Sequence, residues 1–398
     1  MMEITRRRLL ARTAALPLAG ALPFLGALPI TSARGDAQPN VLVLVELNGG
    51  NDGLNSVVPY ADPAYAAARP TLAVARDSVL QLDERLGLHP ALAPLLPLWR
   101  AREMTLALGV GYARPNRSHF RSIEIWNSAS SAEETLQEGW LHRVLEETGG
   151  KADFPRQALV LGGPPGPLAG PALTTVVMRD PRQLRQAAAM PDGGGAGENP
   201  ALAHILAERS RLQGAALEID RRLKAAAEHL PPFPQSAFPK TDLGRQLHLA
   251  ARLIAAGVPA PVLKLQHSGY DTHAQQAGRH AALLTELAEG LAAFREALAA
   301  AGAWRRTLVM TYAEFGRRVA ENASGGSDHG TAAPHFLLGG RLAGGIVGAQ
   351  PPLDDLEGGD LRPTLDFRRL YAAVSQDWLG LPPAPASLGR QRPLTLLA

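Results

Sequence analysis

Three apolar runs in this chain each end abruptly in acids, amides and histidines. Residues 41–45, Val-Leu-Val-Leu-Val, run into Asn48-Gly49-Gly50-Asn51-Asp52-Gly53. Residues 262–265, Val-Leu-Lys-Leu, run into His267-Ser268-Gly269-Tyr270-Asp271-Thr272-His273. Residues 307–311, Thr-Leu-Val-Met-Thr, run into Glu314-Phe315-Gly316-Arg317, and Ser327-Asp328-His329-Gly330 follows shortly after. Carboxylates and imidazoles gathered in one place are the donor set of a divalent metal site. The chain has no cysteine, so any metal must be held by oxygen and imidazole. Disulfides, thiolate metal sites, lipoprotein anchoring and cysteine nucleophiles are excluded with it.

Asp52 lies in a Gly-Gly-Asn-Asp-Gly segment. It reads either as a metal carboxylate or as an ordinary turn residue, because Asn, Asp and Gly are the commonest turn formers. Asp271 and His273 are two apart, so on extended backbone they face the same way and can bind one ion. The other reading is a helix start capped by Asp271 or Thr272. Imidazole ligation favours zinc or manganese over calcium. Asp328 and His329 are adjacent on a Gly/Ser-rich loop, where both can reach a metal or one can support the other. Glu314 offers another carboxylate, a general base, or a salt bridge to Arg317 or Arg318. His335 is a further candidate ligand, whereas His267 and His280 read as core or surface histidines.

Ser118 is the candidate nucleophile. It follows an apolar strand end and is flanked by Asn116, Arg117 and His119. A serine at a helix N-terminus beside a metal can be activated by coordination; the plainer reading is an N-cap. Arg117 or Arg121 can hold an anionic substrate oxygen. Ser118, Arg117, His119 and Glu314 form the candidate catalytic set, and Asp52, Asp271, His273, Asp328 and His329 the candidate metal set. No Gly-x-Ser-x-Gly elbow and no P-loop lysine motif is present.

Ligands of open α/β sheets bind beyond the carboxyl ends of the strands, so the three runs must be neighbouring parallel strands for their polar tails to converge. Further strands are expected at 105–110, 158–161 and 336–338. Helices are expected at about 91–102, 200–230, 243–256, 280–301 and 367–379. Leu283, Leu284, Leu287, Leu291, Phe294 and Leu298 follow a 3.6-residue period. Strand–helix alternation of this kind predicts a doubly wound, mostly parallel sheet covered on both faces. The Gly-rich loop at 191–200 and the charged helix after it read as an insertion over about 190–240 that caps the site.

Residues 1–37 read as an export signal. Thr5-Arg6-Arg7-Arg8-Leu9-Leu10 matches the twin-arginine pattern, an apolar stretch runs to about Ile30, and cleavage is expected after Ala37. Arg12, Pro17, Pro23 and Pro29 argue against a membrane-spanning anchor. The expected partners are therefore the Tat translocase during export and an anionic ester substrate. The expected location is periplasmic or secreted, with no stable membrane insertion after cleavage. Five arginines against two acids in this segment carry the whole formal charge of +3, so residues 38–398 are neutral. No basic patch with interleaved aromatics appears, and nucleic acid is not expected as a partner. Residues 38–398 are expected to form a single domain, for which 46% hydrophobic residues supply ample core.

Together the twin-arginine segment, the Gly49-Gly50-Asn51-Asp52-Gly53 turn, 116–120, 268–273, 314–317 and 327–330 resemble an exported bacterial family. It is known only as domain of unknown function 1501, and is grouped with the alkaline-phosphatase-like, sulfatase-like superfamily. The resemblance implies an alkaline-phosphatase-like core with one or two metals at the strand ends. It implies an early Asp at Asp52, a nucleophile at Ser118, an Asp/His group at Asp271 and His273, and a later pair at Asp328 and His329. It implies a phosphate, sulfate or phosphonate ester as substrate. The other outcome is a non-catalytic metal- or glycan-binding protein on the same fold. Two features depart from the superfamily pattern. The Asp and His are two apart rather than four, and no Cys/Ser-x-Pro-x-Arg segment is present for formylglycine chemistry.

Overall fold

The computed structural model describes residues 38–398 apart from 150–153, 181, 184–185, 187–198, 232, 384–387 and 389–392. The expected export signal and most of the Gly-rich loop lie outside the described residues. The main sheet is built from β1 (Val41–Asn48), β2 (Met104–Gly111), β3 (Gln157–Val160), β4 (Thr174–Val177), β5 (Val262–Ser268), β6 (Thr307–Tyr312), β7 (Ala333–Gly339) and β8 (Gly345–Gly348). A hairpin of β9 (Leu356–Glu357) and β10 (Asp360–Leu361) follows, then the short β11 (Leu365–Asp366). The strand order is β8-β2-β7-β6-β1-β5-β3-β4, with β11 also alongside β2. Every pairing in this sheet is parallel except the two made by β7.

The three apolar runs are neighbours, because β1 pairs with β5 on one side and β6 on the other. Asn48 stands opposite Ser268, so the tails of β1 and β5 leave the sheet at the same level. Alternate residues of β1 feed two cores. Val41, Val43, Val45 and Leu47 enter one, and Leu42 and Leu44 enter the other. A strand buried on both faces has no polar face, which is why its sequence is a continuous apolar run.

Helices cover both faces. On one lie α5 (Asp242–Ala255), α6 (Gln276–Ala300) and the second half of α4 (Pro200–Ala227), which inserts Ala216, Ile219 and Leu223. On the other lie α2 (His119–Ser128), α3 (Trp140–Thr148) and α7 (Phe367–Ala373). A single turn, α1 (Gly53–Ser56), follows β1. The expected mostly parallel α/β sheet flanked by helices is the observed architecture. No helix among the described residues is long and apolar enough to cross a membrane.

Three elements differ in detail from the sequence expectation. The helix at 91–102 is a 3₁₀ segment, Pro90–Leu95, passing into an α-helix, Leu96–Arg100. Pro94 and Pro97 supply no N–H there, so one regular ladder cannot run through. The strand at 336–338 is longer, Ala333–Gly339, and antiparallel. The last helix changes to a π turn at Val374–Trp378.

One polar pair crosses the otherwise apolar sheet centre. Lys264 Nζ lies 2.6 Å from Glu46 Oε2, with both side chains buried. Gln266 and Asn48 donate to the other Glu46 oxygen at 3.1 and 3.2 Å. Removing one partner strands the other charge. We expect Lys264→Met to lower stability by about 3–5 kcal/mol, read as a denaturant midpoint shift at constant m. The double variant Lys264→Met/Glu46→Gln should recover most of that loss. If the double variant is no more stable than the single one, the charge pair is not the source of the penalty.

Candidate metal centre

Five segments meet beyond the ends of β1, β5 and β6: the tails of those strands, the loop at 327–330 and the start of α2. Arg317 ties four of them together. Its side chain is fully buried. Nε donates to Gly50 O at 2.7 Å, Nη1 to Ser327 O at 2.8 Å, and Nη2 to Tyr270 O at 3.0 Å and Asp271 Oδ1 at 2.8 Å. Nη2 also donates to Gly49 O. Gly49 has φ +116°, and a Cβ there would lie 2.4 Å from Asp271 N. Only glycine lets the β1 tail pass so close to the β5 tail.

Around the clamped Asp271, three imidazoles converge. His273 Nε2 lies 3.0 Å from Asp271 Oδ1, His329 Nε2 3.4 Å and His119 Nε2 3.5 Å. His273 and His329 face each other, Nε2 to Nε2, at 2.9 Å. The ligand atoms of His119, Asp271 and His329 all lie within 4.8 Å of one another.

Each ring is oriented through its other nitrogen. His119 Nδ1 is 2.7 Å from Glu314 Oε1, His273 Nδ1 is 3.1 Å from Asp328 Oδ1, and His329 Nδ1 is 2.8 Å from Arg117 O. Carboxylates and carbonyls only accept, so each neutral imidazole carries its proton on Nδ1. Three Nε2 lone pairs are thereby turned inward. Two of them facing at 2.9 Å repel unless a proton or a cation is shared between them. Metal–nitrogen bonds of about 2.0–2.1 Å place tetrahedral ligand atoms about 3.3 Å apart. Four of the pairings among His119, Asp271, His273 and His329 lie at 2.9–3.5 Å, close to that spacing, and the group whose ligand atoms are all mutually close is His119, Asp271 and His329. His119, Asp271 and His329 form a group that can hold a divalent metal, with His273 packed against Asp271 and His329 and with Glu314, Asp328 and the Arg117 carbonyl behind the rings.

The charges are tuned in keeping with this. Burial pulls the Asp271 carboxyl upward, but Arg317, His119 and His273 outweigh it and hold it below its ordinary value. Burial pushes His329 below the usual imidazole range. The hydrogen bond His119 donates to the Glu314 carboxylate raises its ring above that range.

Glu314 and Asp328 thus stand behind histidines, and Glu314 bonds neither Arg317 nor Arg318. Its Oε1 also accepts Gly49 N–H at 2.9 Å. Asp52 does not join the cluster. It caps α1, with Oδ1 accepting from Asn55 N at 3.3 Å, and its fully buried Oδ2 pairs with Arg69 at 2.7 Å and accepts from Gln276. With both oxygens engaged by donors inside the protein, it serves the layer beneath the centre. His335 lies in the core of β7 against Trp126, and burial lowers it to about 3. His267 and His280 are buried among Tyr270, Asn51 and apolar side chains, as expected of core histidines.

Ser118 is exposed at the N-cap of α2, and its hydroxyl makes no capping bond. Its N–H is held by Asn116 Oδ1 at 2.8 Å. Arg117 pairs with Asp360 at 2.9 Å. Arg121 is taken up by the carbonyls of Ser131, Ala132 and Glu134, which leaves Arg117 as the arginine beside the centre on this loop. Arg69, Asp360 and Gln276 were not legible as site residues, since each acts through a contact across the chain.

Residues 111–381 match the family described as a protein of unknown function, DUF1501. The chain belongs to that family. The matched span contains His119, Asp271, His273, Glu314, Asp328 and His329, and excludes Asp52. No curated protein matches the sequence. Similar solved structures include the lipoteichoic acid synthase LtaP from Listeria monocytogenes, at 11% identity over 82% of this chain and 74% of that one, with a TM-score of 0.36. The phosphonate monoester hydrolase SpPMH from Silicibacter pomeroyi is similar at 12% identity over 89% and 76%, with a TM-score of 0.39. BT1596, a 2-O GAG sulfatase, is similar at 13% identity over 89% and 73%, with a TM-score of 0.35.

The His119–Glu314 contact generates a pH prediction. Metal affinity requires a neutral Nε2. A His119 pKa above its ordinary value means this ligand is lost at a higher pH than an unperturbed imidazole would be. Glu314→Gln removes the carboxylate. Measured relative to each protein's own high-pH plateau, the midpoint of the fall in affinity on acidification should move to lower pH, while the plateau itself at about pH 8 drops roughly 10–100-fold. Chelator competition across pH measures both. A midpoint that stays put would show that Glu314 does not govern His119.

Proposed function

We propose that this protein is an exported, metal-dependent hydrolase of phosphate or sulfate esters in the alkaline-phosphatase-like, sulfatase-like superfamily. The observation that carries the reading is the convergence of three Nδ1-anchored imidazoles on Asp271 Oδ1. His119, Asp271, His273 and His329 hold the metal, with zinc or manganese favoured by the imidazole-rich set. When bound, the metal supplies a Lewis acid that polarises the ester and lowers the pKa of the nucleophile.

Ser118 stands one residue before His119, with a hydroxyl uncommitted to the helix cap. In this reading its Oγ attacks the phosphorus or sulfur, and the proton it loses ends on the departing alcohol. Water then cleaves the ester formed on Ser118, releasing inorganic phosphate or sulfate and restoring the serine. Arg117 binds the non-bridging oxygens, with Asp360 fixing its guanidinium. Glu314 and Asp328 keep the proton of each partner histidine on Nδ1 throughout. Residues 1–37 direct export of the folded protein through the twin-arginine route to the periplasm or beyond.

Elemental analysis of protein purified without chelator, combined with an ester screen, tests the reading. We expect near-stoichiometric metal that is lost in Asp271→Ala. Ser118→Ala should keep its metal and lose turnover by at least about 10³-fold. No metal, and no affinity for an added one, would overturn the assignment. Metal without turnover of any ester would leave a metal- or glycan-binding protein on this fold.

A further inference from the structure

Two arginines share one buried carboxylate beside the centre. Asp360 sits on β10 with its side chain almost fully enclosed. Arg117 Nη1 approaches Oδ2 at 2.9 Å, and Arg318 Nε lies 3.7 Å from Oδ1. The second distance is beyond a hydrogen bond, and Oδ1 has no hydrogen-bond partner among the described residues. Arg318 is therefore held by charge alone, and no described group accepts from its terminal nitrogens. Its side chain is 38% exposed.

The backbone of Arg318 is nonetheless fixed against the metal shell. Its N–H donates to Asp328 O at 3.0 Å, and its carbonyl accepts from buried Arg69 at 2.8 Å. It follows Arg317, the residue clamped onto Asp271. Arg117 is tied to the same shell from the other side, through its carbonyl on His329 Nδ1. Asp360 can neutralise only one of the two guanidiniums, and Asp328, the other carboxylate that feels the charge of Arg318, is already bonded by Asn322 and His273. A single ester anion needs only one of the arginines.

We propose that Arg318 is a binding residue for a second anionic group on the same substrate, next to the ester held by Arg117. The substrates of the proposed hydrolase are then esters of already acidic molecules, carrying a further carboxylate, sulfate or phosphate. This rests on the proposed function for the ester, while the anion preference is measurable without turnover.

The test is calorimetric titration of the full-length, metal-loaded protein with phosphonoacetate, which carries two anionic groups, and with methylphosphonate, which carries one. The wild type should prefer phosphonoacetate by roughly tenfold, the scale of one charge-assisted contact. Arg318→Met should abolish that preference and leave methylphosphonate binding within about twofold. Arg318→Lys, which keeps charge but not the fork, should retain part of it, and metal content reports whether each variant's centre is intact. A preference that survives Arg318→Met comes from chelation at the centre and overturns the proposal. Equal losses on both ligands place Arg318 on the reacting anion and overturn it too. No ester turnover by the wild type, with the Arg318-dependent preference intact, sinks the hydrolase reading and leaves the subsite standing.

Discussion

The architecture of the centre depends on one buried guanidinium. Arg317 carries a full charge with no exposure, which is tolerable only because five acceptors from three other segments surround it. Four of those acceptors are backbone carbonyls, so the arginine fixes main chain as well as a side chain. The β1, β5 and β6 tails and the loop at 327–330 are held in one register by a rigid planar fork. A lysine has the charge but neither the five donors nor the fixed angles. Every distance among Asp271, His273 and His329 is inherited from this arrangement.

A second buried arginine repeats the device one layer down. Arg69 donates to Asp52, to Asn55 and to the carbonyls of Arg318 and Val319. Gln276 joins Asp52 to Ser327 and Thr272. Burial works against the Asp52 charge, but Arg69 and His280 outweigh it and keep the carboxyl below its ordinary value. The result is a polar layer beneath the candidate metal centre, with donors and acceptors matched inside the protein. Loops that would otherwise be the most mobile part of an α/β domain are anchored from beneath.

Much of this was legible in the sequence, for identifiable reasons. Strands buried on both faces must be continuous apolar runs, so β1, β5 and β6 announced themselves, and their polar tails marked the crevice. The helix at 280–301 declared itself by period. The roles within the cluster were less legible, because a ligand and the residue that orients it have the same side-chain types. His119 reads as a member of the catalytic set beside Ser118 until its Nδ1 is seen on Glu314 and its Nε2 near Asp271. Asp52 resembles a ligand because the Gly-Asn-Asp-Gly pattern is common to turns and metal loops, and only the unforeseen Arg69 separates the two. Lys264 sat inside a strand as an apparent blemish, and its partner Glu46 lies on another strand more than two hundred residues away.

The two kinds of contact in the centre divide the work. Arg317 and Arg69 fix the loops through bonds complete within the protein, so the frame does not rely on a cation. The imidazoles are different, since their Nδ1 partners force three lone pairs together and nothing in the protein answers all of them. Proteins fill buried polar positions when they can. Here the buried atoms left without a hydrogen-bond partner include His119 Nε2 and, behind it, Glu314 Oε2, which concentrates the unmet bonding at the candidate metal centre. The same logic extends outward to Asp360. Its carboxylate hydrogen-bonds one arginine at 2.9 Å and holds the other only by charge at 3.7 Å, so at the rim too a polar group is left partly engaged.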